Sequence, residues 1–234
     1  MPQIRSMFAK EFKAYFVSPI AYIVIAIFLV LTGWLFFSTY FLKGQASLTD
    51  FFVLLPFMFS FIVPAVTMRL FSEEYNTGSY EMLLTLPVTL KQILAAKLLA
   101  ATAFIAVMLA PTGFYALAVA WTGDLEWGPV AGAYIGALLL GTVFASIGLL
   151  VSALTRNQII AFILAAAVCF GLTMLDYALF FIPGPIQEVL QFLAVGTHFD
   201  NIAKGVIDSR DLLYFFSLVF ISLYAAYLAL YEKQ

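Results

Sequence analysis

Charge is scarce in this chain. Of its 234 residues only 10% are Asp, Glu, Lys or Arg, while 64% are apolar in the broad sense. A soluble domain carries roughly a quarter charged residues, because it must cover its surface in water, so a water-soluble globular domain is excluded and a bilayer is the natural solvent. Cysteine is nearly missing too. Cys169 is the single one and falls inside an apolar run, which leaves neither an intrachain disulfide nor a cysteine metal cage. His198 is the single histidine, and without an HExxH pair there is no zinc-protease site. The GxxxxGK[ST] phosphate loop is absent, so the chain cannot cradle a nucleotide in that manner, and so is the GxSxG motif of serine hydrolases. No block of basic residues points to nucleic acid. With no catalytic constellation and no metal ligand set, the chain is expected not to be an enzyme.

What is present is a series of long apolar runs. A bilayer core of about 30 Å needs roughly 20 residues of helix, so this length holds about five to seven spans and no large soluble domain. Six runs qualify: Pro19 to Leu42, Phe51 to Leu70, Ile93 to Trp121, Pro129 to Leu154, Ile159 to Ile182 and Leu212 to Tyr231. The third exceeds a perpendicular crossing and is expected to tilt or to run into the interface. Thr89 with Gln92 and Thr155 with Gln158 fit capping boxes, Asp50 can cap the second span, and Pro129 suits a first turn. Pro56, Pro64 and Pro111 remove backbone hydrogen bonds inside spans and are expected to kink them. The fold class is therefore all-α, a polytopic membrane protein in one domain over 1–234.

An even number of spans puts both termini on one side. Arg5, Lys10, Lys13, Arg69, Lys91, Lys97, Arg156 and Lys233 share that side, against Lys43, Lys204 and Arg210 opposite, so the termini are expected to be cytoplasmic. The first apolar run is too long for a signal peptide and lacks a cleavage site, so it is read as a retained span. Residues 1–17 place Ile4, Phe8, Phe12 and Tyr15 on one helical face opposite Lys10 and Lys13, as in a helix lying in the interface. Glu11 falls on the apolar side, and a charge there needs a partner that the sequence does not name.

Two segments do not fit plain hairpins. The cytoplasmic stretch 71–90 is too mixed for a span: Asn76, Thr77 and Gly78 break the chain, Glu81 favours the start of a new helix and Pro87 ends it, giving a short helix from Ser79 to Leu86. The outer stretch 183–211 has an apolar pattern too short to cross and reads as re-entrant or interfacial. Within the spans Asp176 is the one clear carboxylate; it is either a wetted helix end or a candidate for lining a substrate path. Cys169 and Met174 read as packing residues and His198 as an ordinary hydrogen-bonded side chain. Gly132 and Gly136, followed by Gly141, Ala145 and Gly148, let helices approach closely, either within the subunit or at a subunit interface.

The end of the second span carries a resemblance. Pro64, Thr67, Arg69, Phe71, Glu73 and Glu74, followed by Gly78, Ser79, Glu81, Leu83, Leu84 and Pro87, resemble the signature of type-2, export-type ABC transporter permeases. Ser79 stands where threonine is usual and keeps the hydroxyl. The phrases KEFKAYFVSPIAYI and TMRLFSEE look most like the gliding-motility subgroup. The resemblance implies a dimeric pathway, formed with a second copy or a related permease chain, in the cytoplasmic (inner) membrane of a bacterium. It implies a separate ABC ATPase that holds ATP and magnesium, with no cofactor in this chain, and leaves room for a periplasmic or membrane accessory protein beside membrane lipids. Glu73, Glu74, Gly78, Ser79, Tyr80, Glu81, Leu83, Leu84 and Pro87 would then form the coupling helix seated in the ATPase. Residues 1–17 would be its elbow helix and 183–211 its outer cap. Glu73, Glu74 and Glu81 would pair with basic groups of the ATPase or with Arg69 and Lys91 of this chain, or else belong to a solvated charged turn. An energy-independent carrier would instead place ionisable groups in several spans, where only Asp176 occurs, and a membrane scaffold would move no cargo. Few charges and many aromatic residues favour an amphipathic or lipid-like cargo.

Overall fold

The computed structural model describes residues 2–44, 46–85, 88–178, 185–206 and 208–232, and among them there is helix and no strand. Helix α1 spans Pro2–Val17. Ser18 then turns the chain, its hydroxyl accepting from the Ile20 N–H, and Pro19 opens α2, Pro19–Lys43. Gly44 ends α2 in the left-handed region with φ 61°, donating its N–H to the Tyr40 carbonyl. The second crossing is split in two, α3 (Thr49–Thr67) and α4 (Arg69–Thr77), with a break at Met68 four residues beyond Pro64. Helix α5 covers Ser79–Thr85. The third crossing begins with α6 (Leu90–Leu109), passes a 3-10 turn at Ala110–Thr112 and continues as α7 (Gly113–Thr122). Pro111 sits in that turn, where the expected kink falls. Then come α8 (Trp127–Leu154), α9 (Gln158–Ala178), the short helices α10 (Pro185–Leu193) and α11 (Val195–Ala203), and α12 (Ser209–Tyr231).

Among the described residues six helical segments are long and apolar enough to cross a bilayer. They match the six runs of the sequence, with α3 and α4 counted as one crossing and α6 to α7 as another. The fifth run was drawn to Ile182; its last residues lie outside the described ones, as do Leu86 and Pro87 at the end of the short helix and Pro183 at the start of the outer stretch.

Helix α8 is the axis of the bundle. It packs against α3, α6, α9, α11 and α12, and most of its side chains are buried. Its glycines explain how. A Cβ on Gly132 would meet the Ile202 carbonyl at 2.6 Å, one on Gly136 the Phe199 ring at 3.3 Å, and one on Gly141 the Ile105 side chain at 2.9 Å. All these neighbours belong to the same chain, so the small-residue stripe seats α11 and α6 within the subunit. Helices α2 and α12 lie outermost and turn Trp34, Phe41, Phe216 and Phe220 outward, as a lipid-facing wall does.

Two capping expectations need correction. Helix α3 starts at Thr49, so Asp50 lies in its first turn and holds Lys43 at 2.7 Å, while the Ser47 hydroxyl accepts from the Thr49 N–H. Helix α9 starts at Gln158, so Asn157 rather than Thr155 caps it, its side chain accepting from the Ile159 N–H at 2.9 Å. The capping box of Thr89 and Gln92 is present in both directions.

Candidate functional site

One end of the bundle gathers α1, α4, α5 and the start of α6. The break at Met68 is pinned from α8 by a single hydroxyl. Ser152 Oγ donates to the Met68 carbonyl at 2.9 Å and accepts from the N–H groups of Phe71 at 2.9 Å and Ser72 at 3.1 Å. Those are first-turn donors of α4 that have no partner within their own helix, so Ser152 caps α4 from outside. One face of α4 is thereby buried through Leu70, Phe71 and Ser72, leaving Glu73 exposed.

Gly78 ends α4 with φ 69°, a conformation that costs a branched side chain about 1–2 kcal/mol. It turns the chain directly into α5. Thr77 and Ser79 share a hydroxyl hydrogen bond of 2.9 Å across the turn. Tyr80 folds back onto α4 and is buried, its ring 4.8 Å from that of Tyr75 and 6.5 Å from that of Phe71. Burial, and then the nearby Glu74 carboxylate, push the Tyr80 phenol above its ordinary range, so it stays a neutral aromatic anchor. Glu81 and Met82 lie on the outside of α5. Leu83 and Leu84 complete the helix, their side chains outside the description.

Beneath this surface is an ion cluster that composition alone did not announce. Lys97 of α6 is 1% exposed, its Nζ 2.6 Å from Glu74 Oε1 and 3.2 Å from Glu11 Oε2, with the Phe71 ring centroid 5.0 Å away. Glu74 thus pairs inward with Lys97 and not with Arg69 or Lys91; Lys91 instead sits over the Tyr227 ring at 5.6 Å. Glu11 finds here the partner that its place on an apolar face required. The consequence is a revised face for α1, which packs along α6 with Glu11 on Lys97 and Tyr15 and Phe16 on Phe104 and buries Met7, while Phe8 and Phe12 stack on each other. Burial, then Glu11, raises the Tyr15 phenol.

At the opposite end of the bundle Asp176 is fully engaged. Its carboxylate accepts from the Gly196 N–H at 2.7 Å, the Thr197 N–H at 3.0 Å and the Thr197 hydroxyl at 2.9 Å, capping α11 from α9. The structure therefore does not bring Asp176 together with the α4 and α5 residues. His198 bridges Asp211 (Nδ1 to Oδ1, 2.6 Å) and the Phe192 carbonyl (Nε2, 3.1 Å) and stacks on Tyr214 at 4.0 Å. Replacing His198 by Leu is expected to cost about 1–3 kcal/mol, since it leaves the buried Asp211 carboxylate without its partner. Thermal unfolding in detergent checks this, and His198→Leu combined with Asp211→Asn should recover part of the loss. Among the described residues no group of three His, Cys, Asp or Glu is placed to hold a metal.

Among the described residues, six helical segments of bilayer-crossing length around an apolar axis, with a short helix displayed at one end, define an all-α polytopic membrane protein. The family model for ABC-2 family transporter protein matches residues 6–231, and the chain belongs to that family. It is a membrane-embedded permease subunit of an ABC transporter, a transport component whose class is generally not catalytic itself and works with an ABC ATPase. Comparison with curated proteins gives no match.

Proposed function

We propose that this chain is the pathway-forming subunit of an ATP-driven exporter and that α5 couples it to the ATPase. Two six-span subunits, identical or related, form the path, and the partner ATPase supplies the ATP and magnesium site. The subunit lies in the bacterial inner membrane with both termini in the cytoplasm, as the basic residues on that side favour. The phrases KEFKAYFVSPIAYI and TMRLFSEE support the gliding-motility subgroup. An accessory protein outside the membrane is compatible with the folded outer helices α10 and α11.

The observation that carries the reading is the way α5 is held. Gly78 fixes its angle, Tyr80 anchors it to α4, and Glu81 and Met82 face outward. A short rigid helix joined to a crossing can pass a rigid-body push along, which a loose turn cannot. Glu73 and Glu81 remain exposed for basic groups of the ATPase, whereas Glu74 serves the junction with α6 from inside.

Met82→Asp, and separately Leu83→Asp with Leu84→Asp, should abolish ATPase co-purification and permease-dependent ATP hydrolysis at matched membrane expression. Burial of an apolar side chain in a partner groove contributes about 1.5–3 kcal/mol, and a carboxylate in its place must be desolvated. Parent-like binding and stimulation in both variants would remove the coupling role from α5.

A further inference from the structure

Beside the Lys97 cluster lies a cavity of about 370 Å³ between α1, α2, α3 and α4. Its walls are of two kinds. Ile20, Ala21, Val24 and Ala65 form an apolar side continuous with α2, whose Ile20, Ile23 and Ile27 are exposed on the outer wall of the bundle. Lys10 and Arg69 stand at the polar side.

Three cations, Lys10, Arg69 and Lys97, and three carboxylates, Glu11, Glu73 and Glu74, line it, but they are not evenly paired. Lys97 is compensated by Glu11 and Glu74, all three lining the cavity. Among the described residues no carboxylate lies within ion-pair distance of Lys10 or Arg69. Glu73, one helical turn beyond Arg69, also lines the cavity but lies farther off than that. Moreover, Arg69 Nε is buried with no hydrogen-bond partner among the described residues. A buried guanidinium N–H without an acceptor is costly, and a planar fork of donors fits the paired oxygens of a phosphate.

A small soluble anion would make no use of the apolar wall. We propose that this cavity binds one anionic phospholipid from the leaflet at this end of the bundle, its phosphate on Arg69 and Lys10 and the first acyl carbons along Ile20, Ala21, Val24 and Ala65. The lipid would wedge α1 against α2 and α4 next to the Lys97 cluster. Its wall reaches Ser79 at the start of α5 but none of Tyr80, Glu81 or Met82, and the proposal does not depend on the coupling role above.

The test uses native mass spectrometry of the purified full-length permease in a nonionic detergent, titrated with phosphatidylglycerol, with phosphatidylcholine, and with inorganic phosphate as competitor. The parent should keep one phosphatidylglycerol per chain in preference to phosphatidylcholine. Arg69→Gln and Lys10→Gln should each weaken that binding by about tenfold, the scale of one charge-assisted hydrogen bond. Lys10 and Ala14 are exposed residues that line the cavity, so Lys10→Gln and Ala14→Phe should keep the fold, which their thermal midpoints check, and should weaken binding even where Arg69→Gln is unstable. Equal retention of phosphatidylglycerol by the parent, Lys10→Gln and Ala14→Phe would overturn the proposal. So would equal binding of phosphatidylcholine, or displacement of the lipid by millimolar inorganic phosphate, which would make this a free-phosphate site.

Discussion

Lys97→Met is expected to destabilise the subunit by about 3–5 kcal/mol, the cost of removing one partner from a buried charge cluster. Methionine nearly preserves the side-chain volume, so packing against Phe71 is retained and the loss is electrostatic. What remains is a pair of carboxylates, Glu11 and Glu74, that both face the site of the removed cation, with Glu74 Oε2 already buried and without a hydrogen-bond partner among the described residues. Both elements they hold should loosen: α1, tied to α6 through Glu11, and α4, tied through Glu74. The thermal midpoint in detergent measures the loss, and protease access to α1 shows where it falls. Lys97→Met with Glu11→Gln and Glu74→Gln should recover most of it, because neutral amides tolerate the low dielectric far better than unpaired carboxylates. A Lys97→Met midpoint equal to the parent's would mean that the cluster does not hold α1 in place. A triple variant no more stable than Lys97→Met would assign the cost to packing instead.

The six crossings were legible because length and hydropathy are enough to mark a span, and in lipid every backbone group must be satisfied by helix. The turn at Gly78 and the capping box at Thr89 were legible because each depends on residues within a few positions. Glu11 was recognised as a charge on an apolar face, but its partner lies 86 positions away and no local pattern connects them. Lys97 was counted only as one basic residue among those of its side. A lone lysine in the fifth position of an apolar run beginning at Ile93 is itself a signal, since a buried cation in a membrane helix needs acids nearby. Read together, the two stranded charges could have named each other.

Other differences have similar causes. Asp50 and Thr155 carry side chains able to cap, but the helices start one residue before Asp50 and three residues after Thr155; Leu48 stands at the α3 cap position with the Ser47 hydroxyl accepting from the Thr49 N–H, and Asn157 caps α9. The face of α1 was read from its aromatics, whereas contact with α6 selects Met7 and Glu11 and leaves Phe8 and Phe12 half-buried at the edge. Asp176 was legible as a carboxylate in a span and not as a cap, because its donors belong to α11, some 20 residues on. Ser152 carried no signal at all: a serine near the end of an apolar helix is ordinary until α4 is packed against it.

The tight approach of α8 to α3 at Gly148 predicts the other large effect. Gly148 sits one turn before Ser152 on the face of α8 that meets α3, and a Cβ there would stand 2.9 Å from Thr67 Cβ and closer still to the Thr67 hydroxyl oxygen. Thr67 is fully buried, its hydroxyl donating to the Val63 carbonyl at 2.9 Å, so it has no free direction in which to yield. Gly148→Val must therefore push α3 and α8 apart, at an expected cost of about 3 kcal/mol, the upper end of the overpacking range. The displacement reaches Met68 next in the chain, where the three hydrogen bonds of Ser152 fix the angle of α4 and with it the position of α5. ATPase stimulation should then fall more than ATPase binding does, since α5 keeps its own surface but loses its fixed relation to the crossing. Gly171→Val provides the control: it lies on α9 with nothing within 4 Å of an added Cβ, and it should leave both readouts near the parent. A double-mutant cycle between Gly148→Ala and Thr67→Ala, read by thermal midpoint, should show the pair less damaging than the sum of its members, because losing the hydroxyl removes the nearer of the two contacts and leaves only the Cβ at 2.9 Å. Strict additivity would mean that the crossing at Thr67 is not what glycine serves at position 148.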